Sequence, residues 1–400
     1  MTLLKKKEYQ LVILIFITIL IYLISPALLW EIAITPYNKP EVISQTSAIK
    51  SHVFFDLRYL RYLSTYFENI SAPADQLYNI YLTTDHKMVI NYPRIWIAIS
   101  HYLNLKNDLI FYSFYIFFFI LYSFIFFHFT KTYNSYFFIY LFFCGSNFLL
   151  LERGNVDFLL ITIVFYSFFT KSKFFNYFGY LFVSFLKIYP AFSLLFFLEN
   201  KKSITKIILL SSAVLIYLIL TKDDIRNISL VNPITGDSSY GFLSIIINIK
   251  NHINVELNYV LITSFNLFLI FLIYYFTKKN FKNTEFKYTN IFLLGGGIFV
   301  FTFLLNTHHD YRMMFLIFCI PLFLNLENKI FKIFSLSCVI LSLEIQRLLF
   351  IFGFWGGVIN SFAKLLLFYI IFLIYFDIVN KKIKKIVFNK YRLKSNNSKL

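Results

Sequence analysis

The sequence predicts an all-α polytopic membrane protein, and three observations carry that prediction. Hydrophobic residues make up 58% of the 400 residues and charged residues only 14%, whereas about 25% of a soluble domain is charged. Apolar runs long enough to cross a bilayer, about 20 residues each, recur from end to end. The short segments of alternating polarity that a transmembrane barrel requires do not occur. We expect one integral membrane domain over residues 1–400, with about 10–12 transmembrane helices.

The first span is predicted at residues 9–30, directly after a run of three lysines. Its apolar region exceeds the roughly 7–15 residues of a cleaved secretory signal, so we interpret it as an uncleaved helix. Residues 31–107 are mixed in polarity and form a long first extracytoplasmic loop. Within that loop, the partly apolar stretch 89–103 is predicted to be an amphipathic or re-entrant helix.

The later spans follow from further apolar runs. Residues 174–198 are interrupted by Lys187 and Pro190, which predicts two half-length helices there, either a hairpin or two crossings. Neither an internal repeat nor a soluble domain is visible, and a basic tail occupies 380–400. The remaining spans are predicted near 109–129, 135–151, 156–170, 204–221, 258–277, 289–306, 312–326, 332–350 and 358–379.

Lysine and arginine placement predicts the orientation of the chain. With both termini in the cytoplasm, more than half of the 38 Lys and Arg residues fall in the short inner segments, as cytoplasmic loops require. The net charge of +18 therefore reflects topology, with the tail beside anionic lipid headgroups. We expect a multi-pass protein of the plasma (inner) membrane that contacts membrane lipids and does not bind nucleic acid.

Other features of the composition have plain interpretations. The abundance of Phe and Tyr, 54 and 30 residues, is typical of a biased genome composition rather than of an aromatic binding box. Cys144, Cys319 and Cys338 lie in apolar runs and are predicted to be small, buried hydrophobic residues. The chain lacks a Gly-rich phosphate loop, a Gly-x-Ser-x-Gly motif and a metal-binding His/Glu helix, so ATP hydrolysis and serine hydrolase chemistry are unsupported.

The polar clusters all fall on the outer face or open toward it, which indicates where the chemistry takes place. The segment 232–240 reads as a lid or an interfacial helix, or equally as a plain connector. The clusters are Asp56 with Arg58, Tyr92-Pro93-Arg94, the segment 152–157, Lys187 to Pro190, the segment 232–240 and the segment 308–312.

Asp56 lies just after the first span, in the stretch Phe54-Phe55-Asp56-Leu57-Arg58-Tyr59. A carboxylate at the membrane surface can act as a general base when its pKa and reach are suitable. The alternative is a solvated loop ion pair with Arg58 or Arg61, which would contribute little.

Lys187 is a charge inside an otherwise apolar stretch, and such charges are functional candidates because they are costly to bury. A cation at the lip of a cavity suits a lipid-linked phosphate. The alternative is a lysine whose head reaches the membrane surface along its own stem. The nearby segment Glu152-Arg153-Gly154-Asn155-Val156-Asp157 is either a polar site or a charged turn at the interface.

The segment His308-His309-Asp310-Tyr311-Arg312 lies between two spans. Adjacent histidines point apart on a helix, so a shared metal ion is not expected. A contact to phosphate or to sugar hydroxyls suits these side chains better.

Taken in order, several of these motifs resemble glycosyltransferase family eighty-seven. The family's Arg-Gly-Gln/Asn-x-Asn, span and Leu-Lys-x-x-Pro correspond to Arg153 through Asp157, an apolar span with Gly179 after a basic turn, and Leu186 through Pro190. Its early Asp-Leu-x-x-Tyr and later Tyr-Pro-Pro correspond to Asp56-Leu57 with Tyr59 and to Tyr92-Pro93-Arg94. The chain departs from the family at Arg94, where Pro is frequent, and at Asp157, where Asn is commoner.

The resemblance covers at least residues 50–200 and implies a GT-C architecture. It implies a polyprenyl-phosphate sugar as donor, often mannose, and transfer at the outer face of the membrane. The family's first-loop aspartate corresponds to Asp56, and its late-chain histidine to His308 or His309. The two departures bear on sugar specificity more than on reaction type.

We therefore predict an inverting hexosyltransferase that acts on a lipid or glycan acceptor with Asp56 as general base. Arg58 either orients that carboxylate or touches the donor phosphate. Since a lipid-phosphate leaving group does not need the metal chelation of a nucleotide, we expect no metal and no cofactor, the polyprenyl-phosphate sugar being a substrate. The remaining predicted donor-site residues are Arg94, Arg153, Asn155, Asp157, Lys187, Tyr189, His308, His309 and Arg312.

Two rival functions share the membrane spans and the intramembrane charge. A flippase or transporter for lipid-linked sugars should show repeat symmetry and charge on both faces, and the sequence shows neither. A surface-polysaccharide polymerase usually has its large loop late in the chain, whereas here it follows the first span.

Overall fold

The computed structural model describes most of the chain from residue 93 onward. Asp56, Arg58 and Arg153 lie outside the described residues, as do the predicted first span and most of the long first loop. The described residues are 63, 67–68, 70–73, 93–152, 155–170, 172–199, 201–231, 239–241, 259–281, 288–305 and 308–397.

The described chain is helical, which confirms the all-α part of the predicted class. Its one strand pair is a two-residue antiparallel ladder, in which Ser239 pairs with His309 and Tyr240 with His308. The elements are α1 (Ile95–Tyr102), α2 (Asp108–Tyr133), α3 (Phe137–Phe142), α4 (Gly145–Glu152), α5 (Asp157–Phe169), α6 (Lys173–Leu186), a first 3₁₀ segment (Tyr189–Phe197), α7 (Lys201–Leu220), α8 (Lys222–Val231), β1 (Ser239–Tyr240), α9 (Tyr259–Asn280), α10 (Thr289–Leu305), β2 (His308–His309), a second 3₁₀ segment (Asp310–Phe318), α11 (Ile320–Leu324), α12 (Lys329–Leu343), α13 (Ile345–Phe352) and α14 (Phe354–Asn397).

Three helices in the described part of the chain are long and apolar enough to cross a membrane. They lie in α2, α7 and α14, over Asp108–Tyr133, Lys202–Leu220 and Trp355–Ile386, and the shorter apolar helices α5 and α10 accompany them. The three helices indicate an integral membrane protein, as expected from composition.

Residues 174–198 break where Lys187 and Pro190 predict a break. Helix α6 ends with Lys187 in an extended conformation, and Pro190 lies in the first turn of the first 3₁₀ segment. The two arms lie against each other, because the Tyr180 hydroxyl donates to Ala191 O at 2.9 Å and the rings of Tyr177 and Phe197 are in contact. The segment is therefore a hairpin with Lys187 at its tip.

Two expected spans are each divided in two by one buried acid. The expected span 135–151 divides into α3 and α4, and the span 332–350 divides into α12 and α13 at Glu344. Glu344 accepts hydrogen bonds from the Tyr140 hydroxyl at 2.8 Å and from the Gly145 N–H at 3.1 Å. Both breaks therefore meet at the same carboxylate, which satisfies the first N–H of α4.

Helix α10 lies at the centre of the described bundle, and its residues from Ile291 to Val300 are buried. Three consecutive glycines let neighbouring elements approach it closely. A Cβ on Gly297 would lie 2.4 Å from Phe192 O in the first 3₁₀ segment, and a Cβ on Gly295 would lie 2.6 Å from Phe315 O in the second. Since neither carbonyl is a flexible side-chain end, both 3₁₀ segments depend on the absence of a Cβ.

Two peripheral regions extend or refine the sequence predictions. Helix α14 continues to Asn397 through the predicted basic tail, because lysine and arginine are good helix formers. Helix α1 falls inside the stretch 89–103 that was expected to be helical. It is fixed to the tip of the hairpin, since Trp96 Nε1 donates to Leu186 O at 2.9 Å.

Candidate functional site

The candidate site is built around Asp157, the first residue of α5. The preceding turn sets its position, because the Asp157 N–H donates to Asn155 Oδ1 at 3.0 Å. The Asn155 side chain is itself buried and accepts that bond as a short polar residue before a helix commonly does. Asp157 has no exposed surface, so its carboxylate depends entirely on protein partners.

The tip of the α6 hairpin supplies two of those partners. The Lys187 ammonium group donates to Asp157 Oδ1, and the Tyr189 hydroxyl donates to the same oxygen at 2.6 Å. Because α6 ends in an extended conformation at Lys187, the lysine and the tyrosine both reach the carboxylate from one turn.

The third partner is Arg312, in the second 3₁₀ segment directly after β2. Its Nε donates to Asp157 Oδ2 at 3.3 Å, so both carboxylate oxygens are engaged. The Arg312 guanidinium carbon lies 5.3 Å from the centre of the Tyr189 ring, and Lys187 Nζ lies 5.8 Å from it. Tyr189 therefore contacts both cations through its ring, within the range of cation–π attraction.

The charges of this Asp157 cluster, defined as Asp157, Lys187, Tyr189 and Arg312, are unequal. Two cations meet one carboxylate, so the four side chains together carry one net positive charge. The side chains of Lys187 and Arg312 are only 10% and 18% exposed. A buried ion pair stabilises a fold only when its hydrogen bonds are well made, and here each carboxylate oxygen accepts at least one.

Arg94 is predicted to bind donor phosphate, which stays a prediction, and in the structure it pairs with Asp224 in α8. Its Nε donates to both carboxylate oxygens of Asp224, at 2.9 and 2.8 Å, and its Nη1 donates to the carbonyls of Ile70 and Ala72. These bonds fasten residues 70–73 to α8. They also form one wall of a cavity of about 790 Å³, which Asp223, Arg226 and Asn227 line as well.

This cavity lies at the same end of the bundle as the Asp157 cluster. Trp96, two residues after Arg94, bonds to Leu186 O. Tyr217, one turn before the cavity residue Thr221, donates to Phe185 O at 2.8 Å. Both bonds end on the last residues before Lys187.

The remaining predicted residues are placed only in part. His308 and His309 form β2, whose pairing joins Ser239–Tyr240 to the turn that leads into Arg312. Asp56, Arg58 and Arg153 fall in the stretches that the structure does not describe. In the described residues, no group of three His, Cys, Asp or Glu side chains is arranged to hold a metal ion, and metal independence stays a prediction.

Asp224 and Glu344 are not among the residues predicted for the site. Glu344 could have been identified from the sequence, because it is a lone acid within an apolar run. Like Lys187, it is a charge that is costly to bury and is therefore a functional candidate. Glu344 also accepts from Arg347 Nη1 at 2.9 Å, so this second buried network joins α3, α4 and α13. Asp224 gave a weaker signal, as one of two acids directly after an apolar span.

Comparisons with known proteins add no assignment. The chain matches no model of a known protein family, no curated protein and no solved structure. The likeness to glycosyltransferase family eighty-seven therefore rests on the sequence motifs quoted above.

Proposed function

We propose that this protein is a membrane glycosyltransferase of the GT-C type, which moves a hexose from a polyprenyl-phosphate donor to a lipid or glycan acceptor. Mannose is the hexose that the family resemblance favours. The observation that carries the proposal is the Asp157 cluster, in which Lys187 and Arg312 reach one carboxylate from two different turns. A phosphate bound beside these cations would be recognised as lysine and arginine recognise phosphates elsewhere.

Each member of the cluster has a separate part in the proposed reaction. Lys187 and Arg312 neutralise the phosphate of the donor and the charge that grows on it as the sugar leaves. Asp157 positions both cations and does not contact the reacting atoms. Stabilising charge that develops in the transition state is usually the largest electrostatic contribution to such catalysis.

The sugar is transferred with inversion at its anomeric carbon. Asp56 takes the proton from an acceptor hydroxyl as that oxygen attacks the anomeric carbon. The bond from that carbon to the phosphate oxygen breaks, and polyprenyl phosphate leaves. This step forms one C–O bond, breaks another and needs no oxidant or cofactor.

The proposed topology places the site at the outer face of the membrane and both termini in the cytoplasm. Lysines at the ends of α9 and α14 far from Asp157 support this orientation under the positive-inside rule. Lys382 of α14 lies at the end of the bundle opposite Asp157, because it donates to Leu198 O and to Asn290 Oδ1 at the start of α10. The whole chain would then form a bundle of about 10–12 transmembrane helices.

A transfer assay tests the proposal against its rivals. Purified protein in proteoliposomes is incubated with radiolabelled polyprenyl-phosphate mannose and a membrane extract as acceptor source. A transferase yields a new labelled product and free polyprenyl phosphate. A flippase would move the donor across the bilayer without making a product, and a polymerase would give a ladder of lengths.

The role of Asp56 has its own test in the same assay. We expect Asp56→Ala to abolish product formation while leaving expression unchanged, because no other group takes the acceptor proton in this scheme. Asp223→Ala, which removes a carboxylate from the neighbouring cavity, serves as the control for loss of negative charge. Turnover retained in Asp56→Ala would remove it from the catalytic role.

A further inference from the structure

A second cavity, of about 660 Å³, lies between α9 and α14. It is at the end of the molecule opposite the Asp157 cluster. The cavity residue Lys381 is followed by Lys382, whose ammonium group bonds to Asn290 Oδ1 at the start of α10, whereas Arg312 lies beyond the other end of that helix. The cavity therefore belongs to neither the proposed reaction nor its substrates.

Both walls of the cavity change from apolar to charged at the same level. Helix α9 has no charged residue over 260–276 and then reads Thr277-Lys278-Lys279. Helix α14 has none over 365–376 and then reads Asp377, with Lys381 one turn later. The lining follows this division, with Leu373 and Phe376 on the apolar side. A boundary of this kind matches the level at which a bilayer passes from acyl chains to headgroups.

Two ammonium groups are held at this boundary by aromatic rings. Lys278 Nζ lies 5.3 Å from the centre of the Tyr274 ring, and Lys381 Nζ lies 5.3 Å from the centre of the Phe281 ring. Lys381 also pairs with Asp377 at 2.6 Å. The lining thus contains two cations and one anion, all next to an apolar wall.

A buried hydroxyl gives an independent indication that the cavity takes a ligand. Thr277 lines the cavity and is 4% exposed, and its Oγ1 has no hydrogen-bond partner. An unpaired buried hydroxyl costs free energy, and most buried polar atoms in proteins are paired. A ligand oxygen in the cavity would supply the missing partner.

We propose that this cavity binds the headgroup of an anionic glycerophospholipid. The lipid phosphate lies between the ammonium groups of Lys278 and Lys381 and accepts a hydrogen bond from Thr277. The acyl chains lie along Leu373 and Phe376. The surrounding lysines of α14 raise the local concentration of anionic lipid, whereas the cavity provides the specific contacts. This site is independent of the proposed transferase activity.

The test measures binding of fluorescent phosphatidylglycerol to the purified full-length protein in phosphatidylcholine nanodiscs. We expect the double variant Lys278→Ala/Lys381→Ala to bind about tenfold more weakly. Each lysine near an anionic lipid raises the affinity roughly fivefold, and Lys381 should contribute less than that because it already pairs with Asp377. The matched control is Lys384→Ala/Lys385→Ala, which removes two exposed lysines of the same helix outside the cavity. That control should change binding less than about twofold. An equal loss in both double variants would mean general surface attraction and would overturn the proposal.

Two further experiments complete the test. The first is a variant that leaves the charge unchanged, and the second distinguishes a lipid phosphate from a soluble one. Thr277→Val removes only the hydroxyl, and we expect it to weaken binding about fivefold. Wild-type affinity in that variant would contradict the assigned contact. Unlabelled phosphatidylglycerol should displace the probe, and free glycerol phosphate should not. If glycerol phosphate displaced it equally well, the site would bind a soluble phosphate and the lipid assignment would fail.

Discussion

Asp157 pairs with two cations from distant parts of the chain. Lys187 lies 30 residues away from it and Arg312 lies 155 residues away. The carboxylate accepts from both and from Tyr189, while it has no contact with solvent. Asp157 is therefore the carboxylate that Lys187 and Arg312 share.

Removal of Asp157 should destabilise the fold strongly. Asp157→Ala removes the buried carboxylate that pairs with both Lys187 and Arg312, and breaking a buried pair in this way costs about 3–5 kcal/mol. We expect a clear fall in the thermal unfolding midpoint in detergent.

The matched control is Asp377→Ala, which removes the carboxylate of a much more exposed pair. The Asp377 and Lys381 side chains are 40% and 38% exposed, so this pair should contribute about 0–1 kcal/mol. Equal unfolding midpoints for the two variants would show that the Asp157 cluster stabilises the fold no more than the exposed Asp377–Lys381 pair does.

The residues of the site were predictable only as separate pieces. Lys187 was identifiable because it is a charge within an apolar run, and Asp157 and Arg312 because they lie in polar turns between spans. Their convergence was not readable, since no local pattern links positions 155 residues apart. Arg94 illustrates the same limit, because its pairing with Asp224 at a separation of 130 residues has no local sign in the sequence.

Among the helices and segments, the glycines of α10 set how closely the two 3₁₀ segments approach. At Gly297 an added Cβ would meet Phe192 O at 2.4 Å, whereas at Gly296 the nearest atom would be Ile371 Cγ2 at 3.3 Å. A side-chain methyl can move aside, but a backbone carbonyl of the hairpin cannot do so without moving the segment.

We therefore expect Gly297→Ala to be destabilised relative to Gly296→Ala by about 1–3 kcal/mol, the usual range for overpacking. Both substitutions bring the same gain in helix propensity, so that gain cancels in the comparison. Unfolding midpoints of the two variants provide the measurement. A Gly296→Ala variant as unstable as Gly297→Ala would contradict the close approach at Phe192.

The sequence predicted the uninterrupted helices well. Helices α2, α5, α7 and α10 begin and end within a few residues of the expected spans, because long apolar runs with clear ends leave little choice. The breaks at Gly145 and Glu344 were not predicted. They depend on a hydrogen bond from Tyr140 to an acid 204 residues away, which a window of 20 residues does not contain.

At the scale of the molecule, the charged clusters of the described residues lie at two ends. The Asp157 cluster and the cavity beside Arg94 lie at one end, and the lysines of α9 and α14 lie at the other. The proposed topology places the first end outside the cell and the second in the cytoplasm.

Cysteine labelling tests this orientation in intact cells. Ser238→Cys places a thiol in a predicted outer loop, and Ser395→Cys places one in the predicted cytoplasmic tail. We expect a membrane-impermeant maleimide to label the first variant at once and the second only after lysis. The native protein serves as the control, because Cys144, Cys319 and Cys338 are all buried. Labelling of Ser395→Cys in intact cells would reverse the proposed orientation.

In the proposed reaction, the cations that pair with Asp157 bind the phosphate of a lipid-linked donor. The most direct measurement is equilibrium binding of radiolabelled polyprenyl phosphate to the purified protein, to Lys187→Gln and to Lys206→Gln. Lys206 is the matched control, because its ammonium group also lies over a tyrosine ring, 5.0 Å from the centre of the Tyr177 ring, but outside the cluster. We predict binding at least about tenfold weaker in Lys187→Gln, since a charge-assisted hydrogen bond is lost, and wild-type binding in Lys206→Gln. A folded Lys187→Gln variant that binds polyprenyl phosphate as tightly as the wild type would contradict the claim.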